Sequence, residues 1–126
     1  MIALPAEASR VRAARRFTID HLTRWGVVDA DRDRAELIAS ELVGNAVRHG
    51  GSDVTVHLSL VDGDLRIEVV DTGGRSRARS CIITPTDEAG RGLRLVDSLA
   101  DWTDIRRETH GWQVCVGLRI ARRRDA

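Results

Sequence analysis

Apolar residues recur near the start of the chain at Ala8, Val11, Ala14, Phe17, Leu22 and Trp25, mostly three or four apart. This spacing predicts an amphipathic helix from about Ala8 to Trp25, stopped by Gly26. A second helix is expected from about Asp31 to Arg48. Its apolar stripe is Ala35, Ile38, Leu42 and Ala46, acids cluster at its start, and Gly50-Gly51 lies past its end. The period then changes to two. Val54, Val56, Leu58 and Leu60 alternate with polar residues, as do Leu65, Ile67 and Val69 after Asp62-Gly63, which predicts a hairpin with one buried face. Residues 72–89 show no period. A short helix from about Gly92 to Ala100 follows, then strands near Trp102–Arg107 and Trp112–Ile120 around a turn at His110-Gly111.

Two helices, a hairpin, a helix and two more strands predict one α+β domain spanning residues 1–126. It is a two-layer sandwich with a mixed, mainly antiparallel sheet and helices on one face. A chain of 126 residues with 42% apolar content can bury about two-thirds of its unfolded surface. No apolar run approaches the length of a membrane span, and the first residues lack the pattern of a secretion signal, so a cytoplasmic protein is expected. Residues 122–126 are a charged tail. Cys81 and Cys115 stand apart, without metal-ligand spacing.

A net charge of +1 offers no basic field for nucleic acid. All 20 basic residues in the Lys and Arg count are Arg. The lack of Lys excludes a P-loop site, a eukaryotic-type protein kinase and Schiff-base chemistry, each of which needs a lysine amine. Any phosphate chemistry must rest on backbone amides, metal and Arg.

Three segments have residues suited to that task. On a helix, a step of four turns about 40°, so Glu41, Asn45 and His49 form one drifting stripe beside the apolar one. Glu41 could be a plain surface acid, but Gly44 costs about 1 kcal/mol relative to Ala inside a helix, which favours a close approach there. Counting by twos from Leu65 places Asp71 on the buried face of its strand, where a carboxylate needs donors. An adenine amine is one such donor, and the amides of an Asp-Thr-Gly-Gly turn are another. Gly73 and Gly74 would let a flat ring approach the backbone. Gly90-Arg91-Gly92-Leu93 opens the third predicted helix and can turn free amides toward phosphate, although Gly-x-Gly alone is a weak sign.

In this order, Glu41-Leu42-Val43-Gly44-Asn45-Ala46-Val47-Arg48-His49-Gly50 resembles the N box of the GHKL ATPase superfamily, which includes histidine kinases and gyrase B. Asp71-Thr72-Gly73-Gly74 and Gly90-Arg91-Gly92-Leu93 resemble its two glycine boxes. Within the superfamily, the chain is most similar to stand-alone bacterial anti-sigma-factor serine kinases. The resemblance implies a Bergerat-type fold, ATP and Mg²⁺ as cofactors, and an ATP lid within residues 72–89. It implies Glu41 as general base, Asn45 as the Mg²⁺ ligand, and Asp71 as the adenine-recognising residue. His49, Gly73, Gly90, Arg91, Gly92 and Leu93 would complete the nucleotide site. The partners implied are a sigma factor, a small antagonist protein and a second copy of the chain, with no membrane and no direct nucleic-acid contact.

The chain departs from this pattern at two positions. Glu88 stands where such kinases often have Arg, a role open to Arg91, Arg75, Arg77 or Arg79. Gln113 aligns where a Thr often supports the adenine site. The departures leave open an ATP-dependent module that regulates transcription by sequestering partners without phosphoryl transfer. A detached histidine kinase domain is disfavoured because His21, His49 and His57 lie on other elements than a phosphoacceptor hairpin.

Overall fold

The computed structural model describes residues 2–5, 10–48, 53–72, 95–108 and 111–121. Its elements are β1 (Ile2–Pro5), α1 (Arg10–Arg24), α2 (Asp29–Arg48), β2 (Asp53–Val61), β3 (Asp64–Thr72), β4 (Trp102–Glu108) and β5 (Gly111–Arg119), with residues 95–99 also helical. The five strands form one sheet in the order β1-β2-β3-β5-β4. Every pairing is antiparallel, so the described sheet is antiparallel throughout rather than mixed. β1 lies outside the elements that the sequence pattern predicts. Four residues are too few to establish a period, and Pro5 weakens a strand reading.

The helix ends follow from local chemistry. Gly26 has φ +76°, its amide donates to the Thr23 carbonyl, and the Val27 amide donates to the Leu22 carbonyl. These two bonds and the burial of Leu22 and Val27 make a Schellman stop. α2 starts two residues earlier than expected, which puts Asp29 and Asp31 in its first turn, where the dipole favours anions. Between β2 and β3, Asp62 and Gly63 both have positive φ, as a two-residue type I′ hairpin turn requires.

The apolar face of α2 buries Ala35, Ile38, Ala39, Leu42, Val43 and Ala46 against the sheet residues Val54, Val56, Leu65, Ile67, Val69, Val116 and Leu118. Full burial of each larger side chain contributes about 1.5–3 kcal/mol. The helices occupy one face of the sheet. On the other face, the Trp102 indole covers Gly117, where a Cβ would collide with it, and the Arg66 guanidinium sits 5.4 Å from the ring centroid.

The end of β5 is tied to the start of α2. The Asp31 carboxylate accepts from the Ala121 amide at 2.8 Å, Arg34 donates to the Arg119 carbonyl at 2.9 Å, and the Val28 amide donates to the Ala121 carbonyl at 3.1 Å. Of the expected third helix, residues 95–99 are helical, and its beginning lies outside the described residues. The expected loop loses Thr72 to the end of β3; its remainder and the tail 122–126 also lie outside them.

Candidate functional site

Glu41 and Asn45 are one turn apart on α2, both half-buried, beside a fully apolar stripe that presses on the sheet. α2 packs against β2 and β3, and Asp71 lies near the end of β3 on the face the helix covers. Asp71 is only 4% exposed and shares its cross-strand row with Val54 and Trp112. Alternation explains its direction, since Leu65, Ile67 and Val69 point the same way. The fold thus brings a stripe of α2 and the end of β3 to one side of the core. His49, Gly73, Gly90, Arg91, Gly92 and Leu93 lie outside the described residues, as do Arg75, Arg77, Arg79 and Glu88.

The Oδ1 atom of Asn45 is buried and accepts no hydrogen bond from the described residues. Leaving a buried amide oxygen unsatisfied costs about 1–3 kcal/mol, so this atom is poised for a ligand. A hard oxygen donor fits Mg²⁺, which usually takes one or two protein ligands and completes its shell with phosphate and water. Among the described residues, no group of three or more His, Cys, Asp or Glu is placed to hold a metal ion.

Gln113 does not occupy the position the alignment suggested. It is opposite Val70, on the face of the sheet away from α2, and its side-chain amide donates to Glu68. Trp112 shares the Asp71 row instead. The inward series Trp112, Val114, Val116 and Leu118 already contained this answer, because its neighbours must face the other way. Also on the outer face are His57, 3.6 Å from Glu68, and Cys115, whose thiol pKa is raised by burial and then by Glu68. A raised pKa keeps the thiol protonated and unreactive.

Residues 4–118 match the histidine kinase-like ATPase domain family. The chain belongs to that family. Family members bind ATP, typically with Mg²⁺, so the Asn45 oxygen fits the ligand the family handles. Among solved structures, the RsbU and RsbW domains of Rv1364c from Mycobacterium tuberculosis share 25% identity with the chain at a TM-score of 0.73. That match covers 96% of this chain and 31% of that one, so the chain spans about a third of its relative. The SiaB-SiaC complex from Pseudomonas aeruginosa matches at TM-score 0.69 and 11% identity, covering 94% and 89% of the two chains. A histidine kinase domain from Erythrobacter litoralis EL346 matches at 0.56 and 20%, covering 93% and 62%. The last two likenesses bear on the fold alone. No curated protein matches the sequence.

Proposed function

We propose that this chain is an Mg-ATP-dependent serine/threonine kinase of the anti-sigma type, which binds a sigma factor and phosphorylates a small antagonist protein. The observation that carries the reading is the buried Oδ1 of Asn45, unbonded among the described residues and one helical turn from a half-buried Glu41. Membership of an ATP-binding family and 25% identity to a chain containing an RsbW domain support it. The setting is the bacterial cytoplasm, in keeping with the fact that no described helix is long and apolar enough to cross a membrane.

In this mechanism Asp71 accepts a hydrogen bond from the exocyclic amine of adenine, which holds the base against the sheet. Gly73 and the segment Gly90, Arg91, Gly92 and Leu93 take the ring edge and the phosphates, with His49 beside them, as the family resemblance implies. Asn45 would hold Mg²⁺ through Oδ1, and the ion would offset negative charge on the phosphates. Glu41 accepts the proton of a serine or threonine hydroxyl as its oxygen bonds to the γ-phosphorus. The bond from that phosphorus to the β–γ bridging oxygen breaks in line, and ADP departs.

The test is γ-phosphate transfer from Mg-ATP to proteins captured by this chain from its own organism's extract, with Glu41→Ala as the comparison. Label on a serine or threonine of a small captured partner, lost with the variant, is the expected result. ATP binding and partner capture without label would instead identify a sequestering module, the reading that the Glu88 departure permits.

A further inference from the structure

Alongside the site, α1 and α2 enclose a groove of about 440 Å³. Its walls include Val11 and Arg15 from α1, and Asp33, Glu36, Leu37 and Glu41 from α2. Three of these side chains are carboxylates and one is a guanidinium, so the groove is acidic. The state of these acids is unlike that of their neighbours. Asp29 pairs with Arg32 at 3.1 Å and Asp31 with Arg34 at 3.5 Å, whereas Asp33, Glu36 and Glu41 have no cationic partner among the described residues. Between them Leu37 is 40% exposed. A single exposed Leu is ordinary, but this one forms, with Val11, an apolar patch in a concave wall bounded by unpaired acids.

The groove also has a direction. Asp33, Leu37 and Glu41 follow one another at steps of four on α2, about 6 Å per step along the axis. At its far end Glu41 belongs both to the groove and to the stripe that continues to Asn45. A chain lying in the groove therefore ends at the carboxylate that would take the hydroxyl proton.

We infer that this groove docks the acceptor segment of the protein substrate, and that the segment is basic and apolar. An apolar side chain packs on Val11 and Leu37, an Arg or Lys pairs with Asp33 and Glu36, and the serine or threonine hydroxyl reaches Glu41. The inference rests on the kinase reading above. Asp33 and Glu41 are about 12 Å apart along α2, and an extended chain rises about 3.3 Å per residue. The cationic residue thus stands about three or four positions from the hydroxyl. Arg15 on the α1 wall repels a second cation, which directs the positive side chain to the α2 wall.

Two short fluorescein-labelled peptides test this, each with a serine and an intervening leucine. One has Arg four positions from the serine and the other has Glu there. Fluorescence anisotropy with the full chain and Mg-ATP is expected to show the Arg peptide binding about tenfold tighter, with the gap shrinking as ionic strength rises from about 0.1 M to about 1 M. The double variant D33R/E36R reverses the preference, and D33N/E36Q abolishes it if the reversal variant does not fold. Equal affinities, no binding of either peptide, or a preference untouched by these substitutions overturns the groove. Label transfer from γ-labelled ATP, read in the same samples, separates the two proposals. Selective binding without label removes the kinase reading and leaves the groove, while equal labelling of both peptides does the reverse.

Discussion

The two ends of α2 treat their polar groups in opposite ways. At the first end, Asp33 and Glu36 on the groove side excepted, the charges are tied into the fold. Asp29 and Asp31 pair with Arg32 and Arg34, Arg32 donates to Thr23, and Asp31 and Arg34 hold the chain leaving β5. Toward the other end, among the described residues, Glu41 has no partner and the buried Asn45 Oδ1 accepts no hydrogen bond. Both ends lie on one continuous helix whose apolar face is sealed into the same core. The difference is therefore not one of poorer packing. One end commits Asp29, Asp31, Arg32 and Arg34 to the fold, and the other leaves Glu41 and the Asn45 oxygen uncommitted among the described residues.

Four substitutions press on this contrast. The largest effect is expected for Glu41→Ala, which should lower phosphoryl transfer about 10²- to 10⁴-fold while nucleotide affinity and the melting temperature stay close to wild type. A loss of stability instead would make Glu41 part of the scaffold. Asn45→Leu keeps the side-chain shape and removes the orphan oxygen. Mg-ATP affinity, read by calorimetry, should fall about 10- to 100-fold, and urea unfolding should show unchanged or higher stability. A variant markedly less stable than wild type would mean that the oxygen already has a structural role. Gly117→Ala drives a Cβ into the Trp102 indole on the far side of the sheet. It should cost about 1–3 kcal/mol of stability in urea unfolding without altering the affinity of the folded protein for nucleotide. Asp31→Ala, at the saturated end, should cost about 1 kcal/mol by loosening the link between β5 and α2. If it weakened ATP binding as strongly as Asn45→Leu, the division of the helix into two ends would not stand.

Much of this architecture is legible in the sequence, because periods of 3.6 and 2 are imposed by burial on one face. The stripe from Ala35 to Ala46 and the alternation from Leu65 to Asp71 are direct imprints of the core. From those two patterns Glu41 and Asn45 fall beside the packed stripe, and Asp71 faces inward. Other features are less visible. β1 is short and owes its place to pairing with β2, a long-range contact with no local signature. Matching motifs by residue position puts Gln113 beside the adenine site, whereas alternation along β5 turns it outward and Trp112 inward. The groove has no signature in the sequence because its walls come from two helices. Asp33, Leu37 and Glu41 are a visible one-sided series, but Val11 and Arg15 meet them only after α1 and α2 pack.

The placement of Trp112 has a practical consequence. The protein contains three Trp and no Tyr, so its near-ultraviolet emission comes almost wholly from indoles. Trp25 lies just past α1, with His21 edge-on at 5.8 Å, and Trp102 lies on the outer face of the sheet. Trp112 alone shares the row of Asp71. A purine drawn to that carboxylate would enter the surroundings of one fluorophore and leave the other two as a steady background. Difference emission between wild type and Trp112→Phe should then follow nucleotide occupancy without any added dye.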